Sequence, residues 1–408
     1  VKNRSVALLL ETSNAYSRGL LDGIIGFVQQ HRGWSVYLPE QERGADPPEW
    51  LRRWRGDGII ARIETHEIAR AVAATKLPVV DVSAGRFIEN IPWLETDDRR
   101  IAELAAEHLL ERGFRNLAFC GDPGFNWSKL REQSFEACVR NIGAAYFCHH
   151  SIARTDARYS WNRDRRGLMQ WLNKLPRPVG IMACYDIKAQ QLLAICRDED
   201  IAVPDEVAVI GVDNDRRLCE LCDPPLSSVV PNAWKTGYEA AAVLDQLIRG
   251  EAVSCDGRLI PPLGVKTRHS TDVLAINDAD IVAAIRIIRD QACNGLTVQQ
   301  LMKQVPMSRR IFERRFQQLL GRTPHAEILR LRIDRCRQLL AETDLPLTEI
   351  ARAAGFPHAE YLSVSFKRET GKTPSAFRTE HRSGSGNLLT LSGQPIHRSS
   401  RDDGSDDD

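Results

Sequence analysis

Seven side chains in the first 213 residues have the types and positions to hold a polyhydroxylated ligand. Asn14, Tyr16, Asp97, Trp127, Arg131, Asp186 and Asp213 each stand shortly after a brief apolar run. Carboxylates and arginine hydrogen-bond vicinal hydroxyls with directional geometry, while aromatic faces cover the C–H surface of a sugar ring. A plainer role competes at each position. A tryptophan more often packs a core or its boundary, and Asp97 or Asp186 could equally cap the helix that follows. All eight Trp fall within residues 1–234, and Trp93, Trp127 and Trp161 sit in predicted loops.

A different chemistry is written twice between about Thr297 and Arg382. Phe316-Gln-Gln-Leu-Leu-Gly321-Arg-Thr323-Pro324 returns fifty residues later as Phe366-Lys-Arg-Glu-Thr-Gly371-Lys-Thr373-Pro374. Phe312 and Leu362 precede their Phe by four residues, which puts each pair on one helical face. With those pairs turned inward, Arg310, Glu313 and Arg314 face outward on the first helix, as do Glu360 and Ser363 on the second. Arg309, Arg315, Lys367 and Arg368 are placed as phosphate anchors, and Ser308 and His358 stand at the heads of the two helices. Arginine can grip guanine bidentately, and basic side chains around it hold phosphates, so the chemistry is that of double-stranded DNA recognition.

The local sequence positions these residues. Gly in Gly-x-Thr-Pro ends a helix in the left-handed conformation, Thr caps the next and Pro fits its first turn. Upstream of each long helix runs a short one, Val298–Met302 and Leu347–Ala351, and Thr297 with Gln300 has capping-box form. Short helix, tight turn and second helix make a helix-turn-helix. The two copies are joined by a helix-like stretch, Pro324 to Glu342, with Ile328, Leu331, Cys336, Leu339 and Leu340 expected on one side. Residues 1–270 alternate apolar runs with amphipathic stretches. Val6–Leu10, Ser35–Leu38, Gly58–Ala61, Val79–Val82, Leu117–Cys120, Gly180–Cys184 and Val207–Val212 read as buried parallel strands. Helices are expected over Arg18–Gln30, Arg99–Arg112, Arg131–Asn141, Ile187–Glu199 and Lys235–Arg249. That alternation predicts a doubly wound α/β domain of two lobes facing a cleft, with ligands beyond the carboxyl ends of the strands.

Net charge is only +1, but residues 271–382 hold 18 Lys/Arg against 13 Asp/Glu. The neutral whole hides a basic C-terminal domain, as a phosphate-binding surface requires. No signal-peptide pattern is read ahead of Val6, and no apolar run approaches the ~18–20 residues that span a bilayer. With ten scattered cysteines, this predicts a cytoplasmic protein with reduced thiols and no membrane partner. The lone Cys219-x-x-Cys222 has no second pair or nearby His, so no metal is expected. Gly371-Lys-Thr has Phe366 where a phosphate loop needs Gly. A sugar-converting enzyme is the competing class. No nucleophile elbow, dinucleotide fingerprint or cofactor motif supports it, and it leaves the basic repeat unexplained. Residues 383–408, rich in Ser, Gly and Asp, are expected to be disordered.

The doubled helix-turn-helix closely resembles the AraC-type regulators, over roughly a hundred residues. In that family the two reading helices enter neighbouring major-groove turns roughly 10 bp apart. The N-terminal part resembles the sugar-sensing domain of LacI/GalR-type repressors, through Thr96-Asp-Asp, Gly113-Phe114, Arg131, Val203-Pro204, Val209-Ile-Gly-Val-Asp213-Asn214 and Leu226-Ser-Ser-Val229. That domain is similar to periplasmic sugar-binding proteins. The resemblance implies Arg131 and Asp213 as main hydroxyl ligands, supported by Asp97 and Asp186. Those repressors place their helix-turn-helix before the first strand, whereas here it comes last. Sensor first and reader second is the layout of the bacterial xylose-operon regulators. They are also resembled at Ser13-Asn14-Ala15-Tyr16, Gly56-Asp57-Gly58-Ile59-Ile60 and Arg268-His-Ser-Thr271-Asp272. The likeness, over about residues 4–380, implies D-xylose as effector, activation of transcription with a contact to RNA polymerase, and a homodimer paired through the sensor. A repressor, or another sugar, remains open. The expected division is a sensor over 1–270, a reader over 271–382 and a tail over 383–408.

Overall fold

In the first lobe, β-branched runs flanked by small residues build strands buried on both faces. The computed structural model describes residues 3–41, 46–153, 156–272 and 278–382. The chain enters the first lobe through β1 (Arg4–Leu9), α1 (Ala15–His31), β2 (Trp34–Tyr37), β3 (Gly58–Ala61), α2 (His66–Ala73), β4 (Val79–Asp81) and β5 (Leu94–Thr96). It crosses into the second lobe for α3 (Asp98–Leu110), β6 (Asn116–Gly121), α4 (Asn126–Asn141), β7 (Ala145–His150), α5 (Trp161–Leu172) and β8 (Val179–Ala183). There α6 (Asp186–Asp198), β9 (Val207–Val212), α7 (Arg216–Leu221) and β10 (Ser227–Val230) follow. It returns for α8 (Ala233–Ile248) and β11 (Arg258–Ile260), then crosses a third time to β12 (Gly264–Lys266).

The first sheet is all parallel in the order β2-β1-β3-β4. A bridge from Asp81 to Trp93 extends it toward the β5–β11 pair. The second runs β12-β10-β9-β8-β6-β7, antiparallel only at β12. Alternate residues of β1 and β3 feed opposite cores: Val6, Leu8 and Ile60 pack against α1 and α8, Ala7, Leu9 and Ile59 against Leu51 and Val72. Helices α1 and α8 meet almost backbone to backbone. A Cβ on Gly23 would lie 2.0 Å from the Trp234 carbonyl oxygen, and one on Gly237 would lie 2.0 Å from that of Leu20. Only glycine admits that approach.

The seven predicted strands and five predicted helices are present, most with slightly shifted ends, but Ser35–Leu38 is not buried: β2 is a sheet edge with Val36 and Tyr37 exposed. Five strands escaped the sequence reading. β5, β11 and β12 have three residues each, β10 opens on two serines, and β7 is a partly polar edge strand. None offers a long apolar run to recognise.

The reader comprises α9 (Ala279–Gln291), α10 (Val298–Met302), α11 (Arg309–Leu320), α12 (Pro324–Glu342), α13 (Leu347–Ala353), α14 (Ala359–Thr370) and α15 (Pro374–Arg382). Its punctuation follows the sequence. Thr297 and Gln300 form a reciprocal capping box, and Gly321 and Gly371 end α11 and α14 at φ 71° and 74°. Thr323 and Thr373 each accept an amide hydrogen bond at 3.2 Å from the next helix. The linking helix departs from expectation. α12 serves two cores: Ile328 and Leu331 join Phe312 and Phe316, whereas Cys336, Leu339 and Leu340 join Leu362 and Phe366. One helix thereby welds both motifs. The expected disordered tail, 383–408, lies outside the described residues, as do 273–277 of the joint.

Candidate ligand cleft and nucleic-acid interface

In the first lobe the cleft is organised by Arg62, which leaves the C-terminal end of β3 and is buried. Its guanidinium donates to Glu11 Oε1 at 2.6 Å and Ser17 Oγ at 3.2 Å, pairs with Glu64, and lies 5.4 Å from the centre of the Tyr16 ring. Burial opposes that charge, but Glu11 and Glu64 outweigh it and raise the Arg62 pKa. Asn14 caps α1 by accepting from the Ser17 amide at 2.8 Å, and its Nδ2 holds Glu11 at 2.8 Å. It thus orients the carboxylate that orients Arg62. Nearby, Arg86 pairs with buried Glu95 at 2.9 Å and stacks 3.4 Å from the Trp93 ring centre.

The second lobe answers with another buried guanidinium. Arg131 Nε donates to Asp98 Oδ1 and Nη1 to the Cys184 carbonyl, both at 2.6 Å. Trp127 is one helical turn earlier on α4, so its ring lies 4.9 Å beneath the same group and packs edge-on against Tyr185. Burial disfavours the Arg131 charge, yet Asp98 and then Asp213 raise its pKa. Asp213 ends β9 with φ 105°, a conformation that non-glycine residues rarely hold. Burial pushes the carboxyl groups of Glu95 and Asp98 up; Asp98 adds to the rise at Glu95, while at Asp98 Arg131 opposes it and Asp213 and Asp97 add to it.

Two expected ligands have other duties. Asp97 caps α3 through the Arg100 amide at 3.0 Å; the next residue, Asp98, turns inward to Arg131. Asp186 is buried and saturated: it accepts from Ser228 Oγ at 2.6 Å, the Asp215 amide at 2.8 Å and the Cys219 thiol at 3.4 Å. Burial and then Asp213 push its carboxyl up to about 8. Its place is behind the β9 and β10 ends, bracing Asp213 and its neighbours. Among the described residues, buried polar atoms at the cleft without a hydrogen-bond partner include Arg62 Nε, Thr96 Oγ1 and Asp98 Oδ2. Each such atom costs about 1–3 kcal/mol when left unpaired. A polyol bound between the lobes supplies both donors and acceptors for that set.

On the reader, Phe312, Phe316, Leu362 and Phe366 are fully buried, which turns the opposite faces of α11 and α14 to solvent. Arg310, Arg314, His358, Glu360 and Lys367 are exposed there, as is Ser308, which heads α11 without capping it. Arg309 is tied to Glu313 at 2.8 Å, Arg368 to Glu369 at 3.0 Å, and Ser363 Oγ donates back to the Ala359 carbonyl at 2.9 Å. Arg315 corrects the sequence reading. It does not stand free as a phosphate anchor, because it turns back onto Asp278, the N-cap of α9, at 2.5 Å. Ile311, Tyr361 and Val364 are exposed on these helices, Val364 by 66%. Such side chains are suited to thymine methyl groups.

Comparison with known proteins agrees with both halves. A profile for the XylR N-terminal domain matches residues 5–96, one for a periplasmic binding protein-like domain 106–271, and one for a helix-turn-helix domain 301–380. The "Xylose operon regulatory protein" of Escherichia coli (strain K12) is 31% identical over 385 residues, 92% of this chain and 97% of that one. The chain belongs to the family of xylose operon regulatory proteins. That of Haemophilus influenzae is 30% identical over 91% of this chain and 97% of its own. A solved structure described as a xylose-binding transcription activator, xylR, is 30% identical with a TM-score of 0.60, over 93% of this chain and 99% of that one. A LacI-type regulator from Alkaliphilus metalliredigens, 21% identical with a TM-score of 0.54 over 66% of this chain and 99% of that one, shares the sensor fold. The chain is therefore a sugar-sensing, DNA-binding transcription regulator, in a family of regulators and not of enzymes. No helix among the described residues is long and apolar enough to cross a membrane.

The sequence reading took Asp97 from the run Thr96-Asp97-Asp98 and passed over Glu11, Arg62, Glu64 and Glu95. A charged residue directly after a fully apolar strand, as Arg62 is after Gly58–Ala61, was the available signal. Asp98→Asn should lower monosaccharide affinity at least about tenfold, the value of one charged hydrogen bond at about 1.5–3 kcal/mol. Asp97→Ala should instead cost about 1 kcal/mol of stability by uncapping α3 and leave affinity within about twofold. Calorimetric titration and urea unfolding separate the two, and equal affinity losses would overturn the assignment. On the reader, Arg310→Ala should relax preference at one base pair by about 1–3 kcal/mol. Lys367→Ala should weaken all sequences alike and flatten the salt dependence by about one unit. Identical behaviour of both variants across a site library would refute this division.

Proposed function

We propose that this protein is a cytoplasmic D-xylose-dependent activator of xylose-utilisation genes, working as a homodimer that contacts RNA polymerase. The observation that carries the ligand class is the set of unpartnered polar atoms, Arg62 Nε, Thr96 Oγ1 and Asp98 Oδ2, set among two buried arginine clusters. Carboxylates outnumber the arginines there, so the cleft favours a neutral polyol over a sugar phosphate or sugar acid. The choice of pentose rests on the relatives named as xylose operon regulators. We take 1–270 as the sensor and 271–382 as the reader. Asp213, Arg131, Asp98, Tyr16 and Trp127 are the sugar contacts, with Asn14, Asp97 and Asp186 holding them in place.

Helix α3 offers a direct route between the two activities. Asp98 opens it at the cleft, and about 20 Å further on, at 1.5 Å per residue, its far end holds the reader. Glu111 pairs with Arg322 at 3.0 Å and Arg330 at 3.2 Å, and Arg115 donates to the Leu319 carbonyl at 3.0 Å. The joint is not a free linker. His108 Nε2 lies 2.8 Å from Thr271 Oγ1, Arg112 donates to the Thr271 carbonyl at 2.6 Å, and Ser270 donates to the Val209 carbonyl at 2.6 Å. Arg268 holds Asn214, the residue after Asp213, at 2.8 Å. Groups at both sugar-facing strand and helix ends thus bear on the segment that leads to the reader.

Titration with a panel of pentoses and hexoses, followed by operator binding with and without the preferred sugar, tests the reading. D-xylose should bind most tightly and raise operator affinity about 5–150-fold, a coupling of 1–3 kcal/mol. Operator must tighten sugar binding by the same factor. A tighter-binding hexose, or a sugar that releases DNA, would displace this reading in favour of another operon or a repressor. Glu111→Gln should spare both separate affinities and reduce the coupling. An unchanged sugar response in that variant would remove α3 as the route.

A further inference from the structure

Strand β7 is the open edge of the second sheet, and the period-two alternation of a strand puts Tyr146, Cys148 and His150 on one side of it. That side meets α4. His150 Nε2 lies 2.8 Å from both carboxylate oxygens of Glu132, and Tyr146 Oη donates to Glu132 Oε1 at 3.4 Å. The Cys148 thiol completes the group: one ligand atom from each of Glu132, Cys148 and His150 lies within 4.8 Å of the others. Neither the cleft nor the reading surface uses these three side chains.

We propose that Glu132, Cys148 and His150 bind a zinc-type divalent cation, with water in the fourth position. Zinc takes thiolate, imidazole and carboxylate at about 2.0–2.3 Å in a tetrahedron, which sets neighbouring ligand atoms roughly 3.3–3.8 Å apart. The three ligand atoms already lie within 4.8 Å of one another, so little contraction separates the group from that spacing. A sulfur, a nitrogen and one carboxylate favour zinc over magnesium or calcium, which need several oxygens. Arg140, the nearby cation, is engaged with Glu136 at 2.7 Å. Because Glu132 directly follows Arg131, the cation ties the sugar-facing helix to the sheet edge.

The full-length protein, freed of metal with a chelator and titrated with Co2+, should show one equivalent of a thiolate-to-cobalt charge-transfer band that Zn2+ abolishes. Cys148→Ser should eliminate the band. His150→Ala and Glu132→Gln should each weaken binding at least about tenfold, as loss of supporting ligands typically does. Cys255→Ser, at another exposed cysteine, should change nothing. The three positions lie at the surface, and far-ultraviolet circular dichroism confirms that each variant is folded. A band that persists in Cys148→Ser, or no band in the parent, overturns the proposal.

Discussion

Two guanidinium groups, Arg62 and Arg131, are removed from water on facing lobes, and the rest of the sensor accommodates that fact. An ion buried without partners costs far more than a domain's whole stability. Each arginine is therefore ringed by acceptors: Glu11, Glu64 and Ser17 around one, Asp98 and the Cys184 carbonyl around the other. Those acceptors must in turn be fixed, which explains why α1 is capped by the same Asn14 that steadies Glu11. The acids exceed the bases, and burial, with neighbouring carboxylates adding to it, raises the pKa values of Glu95 and Asp98. Hydroxyl groups relieve that excess by donating to carboxylates without adding charge. The site is thus chemically suited to a neutral sugar before any particular sugar is named.

The same constraint makes the site responsive. Asp98 belongs both to the Arg131 pair and to the first turn of α3, so a sugar that bonds its second carboxylate oxygen acts on a helix end. An α-helix transmits displacement along its axis because its backbone hydrogen bonds leave it little axial freedom. At the other end, Glu111 pairs with two arginines of the reader, and His108 and Arg112 grip Thr271 inside the protein. Burial pushes the His108 imidazole well below its usual range, with Arg112 adding to the effect, so it stays neutral as a hydrogen-bond partner. A ligand shifts such an arrangement only by its differential affinity for two positions of α3.

The fold was largely legible in sequence because its signals are local. Apolar runs of four to six residues marked the central strands, and Gly-x-Thr-Pro with paired aromatics marked the reader. The cleft was legible in part. Tyr16, Trp127, Arg131 and Asp213 come together there, but the choice between Asp97 and Asp98 depends on which carboxylate is consumed by the helix cap. Adjacent acids at a helix start point in different directions, and sequence spacing does not say which. Asp186 illustrates the same limit: its partners, Ser228 and the Asp215 amide, lie 42 and 29 residues away. Arg315 was misplaced for a related reason, since its acceptor Asp278 belongs to another helix.

The position of the reader at the end of the chain follows from these contacts. A reader ahead of β1, the order of the LacI-type repressors, would enter beside β2 on the first-lobe sheet. Leaving instead after β12, the chain runs along β9, β10 and α3 of the second lobe, the lobe that carries Arg131, Asp98 and Asp213. The joint then lies against the elements that carry the proposed sugar contacts: Arg268 beside Asn214, Ser270 on β9, Thr271 on α3 and Ser227. Moving the reader to the other terminus shortens the physical path from ligand to DNA to one helix and one strand end. That path needs no long-range rearrangement within the sensor, because the proposed sugar contacts and the residues that hold the reader stand on the same elements.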